Sequence, residues 1–121
     1  MIETINMKSI TVAVVDNDTV IESTQDFLDI MATTYYNEDA ENIGIVVDKN
    51  TLMDDFFDLK TGIAGEILQK FSNYKVRLII YGNFDEYKSK SLNDFIRECN
   101  RGNLIFFIES LDLALEKCKS L

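Results

Sequence analysis

Three apolar runs decide what this chain can become. Ile43–Val47 and Leu104–Ile108 are apolar at consecutive positions, and Val76–Tyr81 is so apart from Arg77. A strand with one wet face alternates apolar and polar residues, whereas a strand buried on both faces does not. Each run is followed by apolar residues at helical spacing. Leu59, Ile63, Ile67, Leu68 and Phe71 follow the first run. Leu92, Phe95, Ile96 and Cys99 follow the second, and Leu111, Ala114, Leu115 and Cys118 the third. Two-faced strands alternating with helices specify an α/β fold with a mostly parallel sheet covered by helices.

The upstream segment adds the remaining elements. Ile10–Val15 is rich in β-formers, Asp16-Asn17-Asp18 reads as a turn, and Val20-Ile21 resumes as a short strand. That pattern predicts a hairpin and hence one antiparallel strand. Ser23 with Asp26 predicts a capping box, opening a helix with Phe27, Leu28, Met31 and Tyr35 on one stripe. Asn37–Asn42 reads as a polar loop. Ser91 with Asp94 predicts a second capping box, Ser110 a third helix cap, and Gly102 a C-cap with positive φ. The expected order is β-β-α-β-α-β-α-β-α in one domain over residues 1–121, a length that buries roughly two thirds of the unfolded surface.

The residue inventory excludes several chemistries. There is no His, which removes His-assisted nucleophiles, His-ligated zinc and the usual base near neutral pH. Cys99 and Cys118 are the only cysteines. Both occupy apolar helical positions and are expected to be buried free thiols in a reducing compartment. Gly44, Gly62, Gly65, Gly82 and Gly102 make neither a dinucleotide nor a P-loop pattern. No run approaches the ~18 apolar residues of a membrane span, and Met1–Met7 contains Glu3 and no apolar signal core. The expectation is a non-catalytic cytoplasmic protein with no cofactor, no metal and no membrane partner.

Net charge is −9, placed unevenly. Residues 16–58 hold twelve Asp or Glu against one Lys, and residues 59–121 hold ten Lys or Arg against eight Asp or Glu. Nucleic-acid binding needs clustered cations, so it is not expected. An acidic surface instead suits a basic protein partner, or the basic half of a second copy in a homo-oligomer. The aromatic doublets Tyr35-Tyr36, Phe56-Phe57 and Phe106-Phe107 can turn one ring to the core and leave the other near the surface.

Two segments carry a family resemblance: Phe56-Phe57-Asp58-Leu59-Lys60-Thr61-Gly62-Ile63-Ala64-Gly65-Glu66-Ile67-Leu68-Gln69-Lys70-Phe71, and Ser89-Lys90-Ser91-Leu92-Asn93-Asp94-Phe95-Ile96. Through them, from about Ile10 to Cys118, the chain resembles the uncharacterised bacterial family called domain of unknown function 4180 (DUF4180). More loosely, the order of elements is similar to the STAS domain of anti-sigma-factor antagonists. There Asp-Ser-Ser-Gly leads from a strand into a helix, and the second Ser is phosphorylated. Thr61-Gly62 matches that Ser-Gly, while Lys60 replaces the first Ser and Asp58 lies one position further back than the motif's Asp. The resemblance implies a regulatory module with Thr61 as its phosphorylation candidate. A phosphate there would sit at a helix N-terminus, where free N–H groups and the dipole favour an anion. Asp54, Asp55, Phe56, Asp58 and Lys60 around it are the expected partner-binding residues. The alternative is a small-ligand or Mg-binding domain, or an enzyme, using the strand-end carboxylates Asp16, Asp18, Asp48, Asp54 and Asp55. Val14-Val15-Asp16 and Val46-Val47-Asp48 resemble the phospho-acceptor strand ends of receiver domains. Receivers, however, have five helices and a Lys where this chain has Glu109.

Overall fold

The apolar runs form the middle and one edge of a five-stranded sheet in the computed structural model, which describes residues 2–38 and 41–121. In chain order the elements are β1 (Ile2–Asn6), β2 (Thr11–Val15), α1 (Thr24–Glu38), β3 (Ile43–Asp48), three short 3-10 turns (Lys49–Thr51, Asp54–Phe57 and Leu59–Thr61), α2 (Ile63–Tyr74), β4 (Arg77–Tyr81), α3 (Lys90–Arg101), β5 (Ile105–Ile108) and α4 (Leu111–Cys118). The strands stand side by side in chain order. β1 pairs with β2 antiparallel, and the other three pairings are parallel. The architecture is α/β with a mixed, mostly parallel sheet.

Right-handed crossovers that step one strand at a time in one direction put their helices on one face. Accordingly, α1, α2 and α3 share a face. Ile45 and Val47 of β3, Leu78 and Ile80 of β4, and Phe107 of β5 point into the core beneath them. Phe27 of α1 meets Phe71 of α2 edge-to-face, with centroids 5.2 Å apart. The alternate residues Val12, Val46, Ile79 and Phe106 point to the other face, where Ala114 and Cys118 of α4 cover them. This is why the runs are apolar at consecutive positions, Arg77 at the start of β4 excepted. Among the described residues no helix is long and apolar enough to cross a membrane.

Four local expectations change. The antiparallel partner of β2 is β1, with Ile2 opposite Val15 and Asn6 opposite Thr11. Val20-Ile21, expected in that role, contributes a single parallel bridge from Ile21 to Leu52. Thr19 closes the turn by donating its N–H and hydroxyl to the Asp16 carboxylate, and the chain then crosses toward the loop after β3. The α3 cap is Ser89, whose Oγ accepts from the Leu92 N–H at 3.2 Å, and not Ser91. Asp94 is held instead by Lys90 and Arg97. Gly102 has φ −87°; the left-handed cap at a helix end belongs to Lys75, φ 57°, after α2. Finally, α1 runs to Glu38, so the loop expected over Asn37–Asn42 starts later; Asp39 and Ala40 lie outside the described residues. The Ser23 and Ser110 caps form, accepting from the Asp26 and Leu113 N–H groups.

β5 lies at the sheet edge. The carbonyls of Leu104 and Ile108 accept from Leu78 and Gly82, so alternation turns the peptide groups of Ile105 and Phe107 to the free side. The Asn100 amide meets Phe107 there. Its Oδ1 accepts from the Phe107 N–H at 2.7 Å, and its Nδ2 donates to the Phe107 carbonyl at 3.2 Å. One side chain of α3 thus stands in for a neighbouring strand.

Candidate functional site

The loops after β3 and β4 meet at the carboxyl ends of the parallel strands, the edge where open α/β sheets bind ligands. The nominated residues occupy the second and third 3-10 turns, with Asp58 between the two. Asp54, Asp55, Asp58, Lys60 and Thr61 are exposed there. Phe56 is fully buried and packs edge-to-face on Phe57, with centroids 5.0 Å apart. Its ring therefore anchors the loop from below, and the half-buried Phe57 is the ring nearer the surface. Asp58 caps the third turn by accepting from the Lys60 N–H at 3.2 Å.

Thr61 ties these turns together. Its hydroxyl lies 2.7 Å from the Asp55 carbonyl and 2.8 Å from the Asp58 carbonyl, sharing its one hydrogen between them. The same oxygen accepts from the Ile63 N–H at 3.2 Å, which satisfies one of the free donors at the start of α2. Gly62 follows at φ 77°. That left-handed conformation suits Gly and bends the chain from turn to helix. A groove of about 500 Å³ runs beside the turn, lined by Phe57, Asp58, Leu59, Lys60, Ser89 and Ser91.

Lys49 is a residue that sequence reasoning passed over. It follows β3 directly, and its side chain is 9% exposed. Its Nζ donates to the Asn83 carbonyl and pairs with Glu86. The ammonium also lies 5.1 Å from the Tyr87 ring centroid and 6.0 Å from that of Phe84, within cation–π range. Phe57 stacks on Tyr87, with centroids 5.0 Å apart and planes at 14°, which joins this cluster to the Thr61 turn. Burial pushes the Tyr87 phenol above its ordinary pKa; Lys49 opposes that rise, while Glu86 and Asp54 add to it. The available signal was that Lys49 is the one cation among twelve acids in residues 16–58.

Two of the strand-end carboxylates, Asp16 and Asp48, serve as local caps. Asp16 accepts from Thr19, and Asp48 accepts from the Asn50 N–H at 2.9 Å. Among the described residues no three His, Cys, Asp or Glu side chains gather to hold a metal ion. Burial pushes both thiols, Cys99 and Cys118, up to about 11, so neither is a thiolate at neutral pH.

These features define a mixed-sheet α/β domain whose carboxyl edge carries an acidic, hydroxyl-bearing turn against an aromatic cluster. The family described as a domain of unknown function (DUF4180) matches residues 7–118, and the chain belongs to that family. The match takes in β2 through α4. No curated protein and no solved structure matches the chain.

Proposed function

We propose that this chain is a non-catalytic cytoplasmic regulatory module of STAS-like architecture. It docks a protein partner through the Asp54–Thr61 turns and is switched by phosphorylation of Thr61. The double duty of the Thr61 hydroxyl carries the reading: it is exposed, yet it bonds to both turns and to the start of α2. Phosphorylation replaces the hydroxyl hydrogen, so the bonds to the Asp55 and Asp58 carbonyls cannot persist. It also adds about −1.5 to −2 charges beside the exposed Asp54, Asp55 and Asp58. The surface read by a partner then changes in shape and charge at once, with Lys60 as the adjacent cation. In support of the STAS-like reading, an antiparallel strand precedes parallel strands in sequential order, and α2 starts directly after Thr61-Gly62.

The test is phosphosite mapping on protein isolated from its native host, followed by partner binding with the modified and unmodified forms. Phosphate on Thr61 together with a changed affinity supports the proposal. A protein that carries no phosphate under any growth condition, and binds no partner, removes it.

A further inference from the structure

The segment between β4 and α3, residues 82–89, forms neither strand nor helix, and it is held to the body of the protein by Lys49, by the rings of Phe84 and Tyr87 against Phe57 and Phe107, and by Asn93. Within the segment the Asp85 N–H bonds Asn83 Oδ1, and the Tyr87 N–H bonds the Phe84 carbonyl. Those bonds keep it in one shape but do not fasten it down. The fastening comes from outside the segment: Phe84 meets Phe107 edge-to-face with centroids 5.3 Å apart, Tyr87 stacks on Phe57, the Asn93 amide donates to the Tyr87 carbonyl at 3.0 Å, and Lys49 supplies the ion pair. Lys49 reaches the Asn83 carbonyl and the Glu86 carboxylate, with Phe84 and Tyr87 around its ammonium. Gly82, at φ 150°, makes room for the Lys49 stem; a Cβ there would come within 2.7 Å of Lys49 Cγ. The two ends of the ion pair differ. Lys49 is 9% exposed and Glu86 is 58% exposed. A buried cation thus depends on a carboxylate that water can reach.

We propose that residues 82–89 are a strap that opens and closes over the carboxyl edge of the sheet, with the Lys49–Glu86 pair as its latch. The strap separates two clefts. One, of about 530 Å³, lies between Asn83–Asp85 and the Glu109–Ser110 turn. The other, of about 500 Å³, lies beside Lys60 and Ser91. Opening joins them and uncovers Phe57, Phe84 and Tyr87, giving an aromatic surface next to the Thr61 turn. The inference stands on this geometry and holds whether or not Thr61 is modified.

Hydrogen exchange read by mass spectrometry tests the latch in the full chain. In Glu86→Gln, amides of Phe84–Lys88 are expected to exchange roughly tenfold faster than in the parent, with β3 and β4 unchanged, because local opening is read segment by segment. Lys49→Met is expected to do the same; should it fail to fold, Glu86→Gln still decides. Strap exchange equal to the parent's in Glu86→Gln overturns the proposal. Acceleration spread evenly over β3, β4 and the strap also overturns it, because that marks loss of global stability.

Discussion

Replacing Asn100 by Ala isolates the device that finishes the β5 edge. The substitution removes both partners of Phe107, whose residue is 6% exposed, and leaves its N–H and carbonyl facing the space the amide filled. Each hydrogen bond contributes about 1 kcal/mol net, and a buried group left unpaired costs about 1–3 kcal/mol. Asn100 itself is exposed, so water can reach part of the vacated site and lowers that cost. In the other direction, Ala gains about 0.5 kcal/mol over Asn in helix propensity at this α3 position. The balance is a loss of about 1–2 kcal/mol. At ~2.1 cal/mol/K per residue of unfolding entropy, a chain of 121 residues loses roughly 4–8 °C in Tm. Urea titration followed by circular dichroism reads the difference. An unchanged or raised midpoint in Asn100→Ala, at unchanged slope, refutes the reasoning, because the helix-propensity gain alone would then account for the variant.

Four further outcomes follow from the geometry. Gly82→Ala should lose about 1–3 kcal/mol in urea titration, since it combines a strained φ with a clash against the Lys49 stem. Gly62→Ala, at φ 77° with open space around it, should lose only about 1–2 kcal/mol. Thr61→Val keeps the side-chain shape and removes the hydroxyl, so the same assay should show a loss of about 1 kcal/mol. Cys118 links stability to pH. Its folded pKa of about 11 lies above the ordinary 9.0, so its contribution is full below pH 9 and fades as pH rises through 11. Denaturation midpoints of the parent should therefore fall more steeply over that window than those of Cys118→Ala.

β3 and β5 were legible because a strand covered on both faces is apolar at consecutive positions; no tertiary knowledge is needed to read Ile43–Val47 or Leu104–Ile108. β1 was not legible. Ile2–Asn6 is a short edge strand with half-buried and exposed residues, and its sequence lacks a continuous apolar run. The Ser89 cap lost to Ser91 for a different reason. Ser91-Leu92-Asn93-Asp94 satisfies the capping-box pattern, but Lys90 and Arg97 draw the Asp94 carboxylate away. In the candidate site, the exposed acidic turn around Thr61 could be read from composition. The inward course of Phe56 could not, since a 3-10 turn and a helix send adjacent rings to different sides. Lys49 was the hardest to see: its partners Asn83 and Glu86 lie 34 and 37 residues away, and no local spacing encodes such a contact.

The central claim is that the Thr61 turn is read by a protein partner and that charge at Thr61 changes the reading. The most direct measurement is quantitative affinity capture from native lysate with the parent, Thr61→Ala and Thr61→Glu chains in parallel. The account predicts a partner whose yield differs between Thr61→Ala and Thr61→Glu by tenfold or so, the effect of about 1.4 kcal/mol, while both variants remain folded. Equal recovery of the same proteins by all three chains contradicts it.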